Sequence, residues 1–405
     1  MSNLPPLPGD VWLRIIEKHA SRMEDRLSLA STSRFYRELT LPIVFRRLSF
    51  TAFHIRNNDT EKDGVLASSD HVAERIKFLH SKTNIRFYVR EVVINGWYDT
   101  PHWVTWDELE DMLCAGEYAC GAIESLLPAL PRLRKLWIWG SGMSPKTKIF
   151  SRLPQLLHLE SLDIRDNPAP RGCIAGAIPD SRPFVSRGNS HGLNELIFHY
   201  HDLFNNEAAI PYLSQLLSCG LSFGNLTRLS VYHWCLPHIS AANINLTFLL
   251  SVEVRCVDGQ LIDMDSVYRL LAQSQDVQEL RVMSQGALNS SSNPPHTGVL
   301  PRLECITGPI DVLCALVPGR PVRQIKLIAI RPPGPLELYP LQHSEADITA
   351  LTLHADKLSE EELRQCGHVF KKLQHLFKKL RHFTLQVSTP SPQFCMVRSM
   401  RLLFR

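Results

Sequence analysis

A triplet of large apolar residues with the spacing L-x-x-L-x-L recurs along most of the chain. Its clearest copy has Leu159, Leu162 and Ile164 at the three positions, followed by Asn167. Since the last two apolar positions alternate with a variable one, each copy predicts a short strand with one buried face. The copies start at Val89, Leu133, Leu159, Leu193, Leu226, Leu249, Val277, Val322, Ile348 and Leu380, with a weaker copy at Leu303.

Apolar residues at helical spacing lie between several copies, as in 207–219, 264–273 and 360–379. Strand and helix therefore alternate, which predicts an α/β fold. From Leu133 onward, successive copies start 19 to 34 residues apart, a spacing typical of repeats that bury their apolar faces on their neighbours. The expected architecture is an irregular solenoid with a parallel sheet on its concave face. A doubly wound α/β enzyme shows the same alternation, but the chain lacks a glycine-rich strand-to-helix turn.

The first fifty residues carry a different pattern, three short helical segments that each have an apolar stripe. Pro8 starts the first segment, in which Val11 and Ile15 form one line. Hydroxyl residues at 31–33 can cap the third segment, where Phe35 lies on the apolar face. Helices shorter than about 12 residues are marginal in water, so the segments must pack together. Much of their apolar surface would stay exposed in a lone monomer, which predicts a partner surface.

Residues 51–69 are polar and lack periodicity, which predicts a linker or an exposed loop. The boundaries that follow are a helical domain at 1–50, this linker, and a repeat solenoid at 70–405. The chain ends in an apolar stretch at 400–405. Because solenoids need a polar terminal cap, we expect this stretch to fold back on the last repeat or to be continued in a longer native chain.

Four parts of the first fifty residues match a known pattern: Leu7-Pro8, Ile15-Ile16, Leu27-Ser28-Leu29-Ala30 and Leu41-Pro42-x-x-Phe45-Arg46-x-Leu48. The segment resembles an F-box, the motif that docks a protein onto the Skp-type adaptor of cullin–RING ubiquitin ligases. One departure is that Phe45 occupies the region where F-boxes often have a tryptophan, which bears on adaptor affinity more than on fold. With its triplets, the whole chain resembles an F-box protein with a C-terminal leucine-rich-repeat domain.

The resemblance implies a substrate-recognition subunit of an SCF-type E3 ubiquitin ligase, in which the F-box binds the adaptor and the repeats bind a protein substrate. Such a subunit holds a substrate lysine near the charged ubiquitin-conjugating enzyme and does no bond chemistry itself. We therefore expect no enzyme activity, catalytic residue, metal or cofactor. The residues expected at the adaptor interface or directly beneath it are Leu7, Pro8, Val11, Ile15, Ile16, Leu29 and Phe35. The alternative is a leucine-rich-repeat interaction scaffold unconnected to ubiquitin, with the N-terminal helices as a cap.

Composition places the chain among globular proteins, with 44% hydrophobic and 21% charged residues over 405 positions. A net charge of +4 is too small to argue for a nucleic-acid partner. The longest apolar runs fall far short of the roughly 20 residues that a membrane span needs, and the N-terminus has no basic-then-apolar signal segment. These features predict a cytoplasmic or nuclear protein without a membrane partner. The ten scattered cysteines form no C-x-x-C pair and are expected to be reduced and buried.

The sequence contains no phosphate-binding loop, dinucleotide fingerprint, zinc-protease motif or serine-hydrolase motif. His199 and His201 could place two imidazoles on one side of a strand for a metal ion. The last apolar position of that copy is Phe198, however, so both histidines are expected at the exit of the strand. Cys114 and Cys120 are expected to be buried thiols and not metal ligands.

Overall fold

The structure, a computed structural model, describes residues 8–20, 22–51, 61–95, 121–139, 149–166, 192–200, 210–242, 244–256, 262–284, 288–289, 299–329, 338–355, 379–389 and 396–403. The chain divides into two compact units. Unit one comprises Met1–Leu193 and Tyr200–Ser222, and unit two comprises Asn194–His199 and Phe223–Arg405.

Unit one begins with three short helices, α1 (Gly9–His19), α2 (Met23–Thr32) and α3 (Arg34–Val44). The predicted cap of the third helix is present, since the side chain of Ser33 accepts a hydrogen bond from the backbone N–H of Tyr36 at 3.2 Å. α3 packs against both α1 and α2. The three helices therefore form one cluster, as their short lengths require.

Parallel strands begin after these three helices in unit one. In the part of the chain that the structure describes they are β1 (Arg47–Thr51), β2 (Glu91–Asn95), β3 (Lys135–Trp139) and β4 (Ser161–Asp166). Neighbouring strands pair in chain order, and their register places Leu48, Val92, Leu136 and Leu162 side by side. The remaining described helices of unit one are α4 (Glu61–Ser81), α5 (Thr83–Arg86), α6 (121–126), α7 (Ile149–Arg152) and α8 (Ile210–Ser218).

The first strand corrects the predicted boundary at residue 50. β1 lies almost wholly within the range 1–50, which the sequence analysis assigned to an all-helical F-box. Leu48 and Phe50 are 4% and 0% exposed, and they pair in register with Val92 and Ile94 of β2. The strand forms because Leu48 and Phe50 supply the two alternating apolar positions that the other strands have.

The predicted linker at 51–69 is wrong from residue 61 onward, because α4 begins at Glu61. Residues 52–60 lie outside the described part of the chain. The C-terminal half of α4 carries a buried stripe, with Val72, Ile76 and Leu79 each at most 3% exposed. Once such a stripe has fixed a helical nucleus, each further residue joins the helix at little cost in free energy. The helix can therefore extend toward its N-terminus through polar residues that show no periodicity of their own.

Unit two is built on a longer sheet. Its described strands are β5 (Glu195–Tyr200), β6 (Arg228–Tyr232), β7 (Ser251–Arg255), β8 (Ile262–Asp263), β9 (Glu279–Met283), β10 (Leu288–Asn289), β11 (Cys305–Gly308), β12 (Gln324–Ala329), β13 (Ala350–Ala355), β14 (His382–Thr389) and β15 (Met396–Leu403). The sheet order is β5-β6-β7-β9-β11-β12-β13-β14-β15, while β8 and β10 pair separately. Its helices in the described ranges are α9 (Leu236–Ala241), α10 (Met264–Ala272) and α11 (Ile310–Leu316).

The triplets form the core of both units, as predicted. Every described triplet residue is at most 5% exposed, and each full copy places its last two apolar positions on a strand. The strands are parallel except for the antiparallel pair β14/β15. The α/β fold and the helix at 264–273 are therefore confirmed. The helix predicted at 360–379 lies outside the described residues apart from Lys379, which lies in a turn.

The apolar stretch near the C-terminus folds back on the last triplet strand. β15 pairs antiparallel with β14, with Phe383 opposite Leu402 and Leu385 opposite Met400. This is the first of the two arrangements expected for that stretch. It places hydrogen-bonding backbone along the free edge of β14, an edge that would otherwise be available for pairing with another chain.

Substitution of two adjacent leucines tests whether the buried triplet residues stabilise the fold. Leu249 is 0% exposed, whereas Leu250 is 40% exposed. Leu249→Ala should lower the free energy of unfolding by about 2–5 kcal/mol, since it removes buried methyl groups and leaves a cavity. Leu250→Ala, the matched control, should change it by less than about 1 kcal/mol. Urea denaturation followed by circular dichroism measures both, and equal losses would contradict the role of the triplet in the core.

The Ser33 cap can be tested in the same way. Ser33→Ala leaves the backbone N–H of Tyr36 without its acceptor, and should destabilise the protein by about 1 kcal/mol. Ser31→Ala is the control, because Ser31 is exposed and its hydroxyl only donates to the carbonyl of Ser28 within α2. Alanine is the better helix former, so the control should be neutral or slightly stabilising. A thermal midpoint of Ser33→Ala equal to that of Ser31→Ala would argue against the cap.

Candidate functional site

The N-terminal helix cluster exposes large apolar side chains. Met23 and Leu27 on α2 are 51% and 46% exposed, and Phe35 in the first turn of α3 is 48% exposed. We refer to these three side chains as the exposed apolar set. Large apolar groups left in water on such short helices make this cluster a candidate for contact with another protein.

Aromatic contacts hold this surface in place. The rings of Trp12 and Tyr36 meet edge to face, with centroids 5.3 Å apart, and Tyr36 also meets Phe35 at 5.4 Å. The hydroxyl of Thr40, which is fully buried, donates a hydrogen bond to the carbonyl of Tyr36. Tyr36 thus ties α1 to α3 and restrains Phe35. A side chain that is already restrained loses less entropy when a partner covers it.

The structure distributes the predicted adaptor-binding residues over three environments. Pro8 and Phe35 are exposed; Val11, Ile15 and Leu29 are partly buried; Ile16 is buried; and Leu7 lies outside the described residues. Ile16, at 1% exposure, can only support the surface from beneath. The other described residues can contact a partner directly.

Sequence reasoning left Met23 and Leu27 out of the predicted adaptor-binding residues. Leu27 and Ala30 are three residues apart on α2, yet Ala30 is 7% exposed and Leu27 is 46% exposed. The signal that could have found both residues is their spacing of one helical turn. Met23 and Leu27 are four residues apart, which defines a second apolar stripe on α2.

A second candidate surface is the sheet face opposite the triplets. Side chains alternate between the two faces of a strand, so Ser230, Glu253 and Arg281 lie in one row across β6, β7 and β9. Arg281 forms an ion pair with Glu279 at 2.6 Å, and Arg255 pairs with Glu253 at 2.5 Å. Desolvation lowers the pKa of Arg281, but the hydrogen bond and charge of Glu279 outweigh it and raise that pKa overall. This face of unit two offers an ordered pattern of both charges, which suits selective contact with a polar protein surface.

The corresponding face of unit one is aromatic and basic. The guanidinium of Arg47 lies 5.2 Å from the ring centroid of Trp137, and that of Arg165 lies 5.5 Å from Trp139. Arg165 also forms an ion pair with the buried carboxylate of Asp163 at 2.9 Å. Tryptophan and arginine are the side chains most enriched at binding hot spots.

His199 lies on β5, and its predicted position at the strand exit is therefore wrong. The strand continues past Phe198 to Tyr200, so His199 points to the face opposite the triplets and is buried. Its Nε2 lies 2.8 Å from the hydroxyl of Ser230. His201 lies outside the described residues. Among the residues that the structure does describe, no group of three or more His, Cys, Asp or Glu could hold a metal ion.

The buried thiols are poor nucleophiles. Desolvation raises the pKa of Cys219 to about 11 and also raises the pKa of the fully buried Cys235. Both therefore remain protonated at neutral pH, and the thiolate is the reactive form. Cys114 and Cys120 lie outside the described residues.

Alkylation measures this protonation directly. Iodoacetamide at pH 8 should leave Cys219 and Cys235 unmodified in the folded protein and modify both in 6 M urea. Cys256 and Cys314, which are partly exposed, are the internal controls and should react faster in the folded state. Peptide mass spectrometry reads out each site. Equal modification of all four thiols without urea would contradict the burial of Cys219 and Cys235.

Within the described ranges, none of the helices has both the length and the apolar character needed to cross a bilayer. No protein-family model matches the chain, and no curated protein is similar to it. The resemblance to F-box proteins with leucine-rich repeats therefore rests on the residues quoted above.

Proposed function

We propose that the chain is the substrate-recognition subunit of an SCF-type cullin–RING E3 ubiquitin ligase. In this proposal α1–α3 bind a Skp-type adaptor, and the sheet-bearing units bind a protein substrate. The observation that carries the proposal is the exposed apolar set on a cluster of three short helices, in the segment that resembles an F-box.

The lengths of the helices support an adaptor-binding role. α1, α2 and α3 have 11, 10 and 11 residues, which is below the length that is stable alone. They nevertheless leave Met23, Leu27 and Phe35 in water, although burying these side chains would stabilise the cluster. Burying a fully exposed Leu, Met or Phe side chain gains about 1.5–3 kcal/mol, so covering these half-exposed side chains gains about half as much for each. A docking partner supplies that gain when the complex forms.

The triplets support a leucine-rich-repeat solenoid as the substrate-binding part. In the proposed arrangement the parallel strands line its concave side and present the face opposite the triplets. That face carries Arg165, Trp137 and Trp139 in unit one and the Glu253–Arg255 and Glu279–Arg281 pairs in unit two. The protein would contribute proximity alone, by holding a substrate lysine near the ubiquitin-conjugating enzyme.

One observation favours the alternative, a repeat scaffold unconnected to ubiquitin. The chain passes directly from α3 into β1, and Phe45 at this junction stacks on Phe78 of α4 with ring centroids 6.5 Å apart. Helices attached in this way could act as a cap on unit one and have no further role. Deleting residues 1–50 would not separate the two functions cleanly, since it also removes most of β1. Substitutions on the exposed surface are the sharper test.

The double variant Leu27→Ala/Phe35→Ala should lose adaptor binding while remaining folded. Both side chains are nearly half exposed, so each truncation should change stability by about 0.5 kcal/mol or less. As interface anchors, each is expected to contribute about 2 kcal/mol, so affinity for the adaptor should fall at least about a hundredfold. Calorimetric titration with a purified Skp-type adaptor measures the affinity, and thermal denaturation measures the fold.

Leu250→Ala/Phe248→Ala is the matched control, because it removes one leucine and one phenylalanine that are 40% and 55% exposed in unit two. It should bind the adaptor as the wild type does. The ligase assignment fails if the wild type does not bind the adaptor, or if Leu27→Ala/Phe35→Ala binds it with unchanged affinity. Failure of wild-type binding in a folded protein would leave the scaffold as the better explanation.

A further inference from the structure

Three arginines occupy the same position on successive strands of unit one. Arg46, Arg90 and Arg134 each directly precede a strand, β1, β2 and β3. The carbonyl of Arg46 accepts hydrogen bonds from the backbone N–H groups of Arg90 and Glu91, at 2.8 and 3.0 Å. The carbonyl of Arg90 accepts in the same way from Arg134 and Lys135. The backbone thus fixes the three arginines, here called the arginine ladder, at intervals of about 4.8 Å.

The arginine ladder lines a cleft of about 310 Å³. Lys135 adds a fourth basic side chain, Pro42 and Tyr88 form a less polar wall, and Glu91 and Glu160 supply two carboxylates. Glu160 is paired with Arg134 at 3.4 Å. Four basic groups against two carboxylates leave the lining with an excess of positive charge, in a space large enough for one small charged group.

The fold itself does not require arginine at this position. In the described parallel strands of unit two, the equivalent residues are Asn194, Thr227, Leu250, Gln278, Glu304, Arg323, Thr349 and Arg381. No two neighbouring strands in that series both carry a basic residue. The ladder is therefore a local feature of unit one, added to a backbone that forms equally well without it.

The positive charges of the ladder are unfavourable for one another. Desolvation lowers the pKa of Arg90, and the positive charges of Arg132, Arg134 and Arg46 lower it further. Like charges held side by side by strand register destabilise a sheet. An anion placed between the guanidinium groups would replace this repulsion with charge-assisted hydrogen bonds.

We propose that this cleft binds a single phosphate dianion, either free or as a monoester. A guanidinium presents paired N–H donors whose geometry matches phosphate oxygens, and several arginines in one row can share a single doubly charged group. Pro42 and Tyr88 form the wall against which the carbon side of the ester would pack. The site is separate from the exposed apolar set, and its existence does not depend on adaptor binding.

The two carboxylates restrict the size of the ligand. Glu91 and Glu160 lie in the same lining as the arginines, and they would repel a continuous polyanion such as a nucleic-acid backbone. Nucleic-acid sites instead carry basic residues along a whole face or groove. A single phosphate group avoids this repulsion, whether it comes from inorganic phosphate, a small ester or a phosphorylated side chain of a protein.

Calorimetric titration of the full-length protein tests the site. The probes are inorganic phosphate, a short end-blocked peptide carrying one phosphoserine, and the same peptide without phosphate. The wild type should bind the phosphate-bearing probes, and Arg90→Gln should bind them about tenfold more weakly, because one charge-assisted contact is lost. The unphosphorylated peptide should bind neither protein measurably.

Arg323→Gln is the matched control, since Arg323 directly precedes β12 but has Glu304 and Thr349 at the neighbouring positions. It should leave phosphate binding unchanged. Without phosphate, Arg90→Gln should have a thermal midpoint close to that of the wild type, because the relief of repulsion offsets the loss of the hydrogen bond that Arg90 Nη1 donates to the carbonyl of Arg132 at 3.3 Å. If Arg90→Gln does not fold, Arg46→Gln at an exposed position replaces it.

The results separate the sources of phosphate. Tighter binding of the phosphopeptide than of inorganic phosphate indicates a phosphorylated protein, and equal binding indicates free phosphate or a small ester. The proposal is overturned if the wild type binds no phosphate-bearing probe, or if Arg90→Gln and Arg323→Gln behave alike. Arg90→Gln should retain adaptor binding, so failure here is distinguishable from failure of the proposed ligase function.

Discussion

Each strand that carries a triplet has one apolar face that it cannot bury alone, and the fold depends on that constraint. A five-residue strand such as β3 buries Leu136 and Ile138 completely or nearly so only because neighbouring strands present apolar residues in the same register. Parallel pairing of this kind depends on residues far apart in sequence. Stability therefore comes from the row of triplets and not from any single strand.

The same register also determines the opposite face. Once Val252 pairs with Leu280, Glu253 must lie beside Arg281, because side chains alternate along both strands. Forming the ion pairs of that face costs little additional conformational entropy, since the core has already fixed the backbones. Strand pairing also produces the arginine ladder, but there it brings together charges that repel one another. The core holds Arg46, Arg90 and Arg134 together despite their repulsion.

The sequence was informative wherever a pattern was local. The triplets predicted every strand from β2 onward that carries one, and the cap of α3, Ser33, falls within the hydroxyl run 31–33 that was predicted to supply it. β1 was missed because its apolar positions, Leu48 and Phe50, fall at the end of an F-box-like pattern that was interpreted as helical. α4 was missed at its N-terminal end because the residues that stabilise it lie a helical turn or more downstream, at Val72 and beyond.

The candidate sites were less predictable than the fold, for a physical reason. Phe35 could be placed on the apolar face of its helix, but its exposure depends on how α3 packs against α1 and α2. The arginine ladder has no local signature. Its members are 44 residues apart in the chain, and only the pairing of β1, β2 and β3 brings them together.

The two kinds of surface suit two kinds of binding. In the proposed function, the exposed apolar set would give affinity through area removed from water, which ionic strength affects little. The charged and aromatic sheet faces would instead give selectivity and rate of encounter, and salt would screen their exposed charges within about 8–10 Å. A subunit that must hold one constant partner and choose among variable ones needs both properties on separate surfaces. In this chain Phe35 and Leu27 lie on the N-terminal helices, whereas Arg165, Arg255 and Arg281 lie on the strands, so either surface can change without disturbing the other.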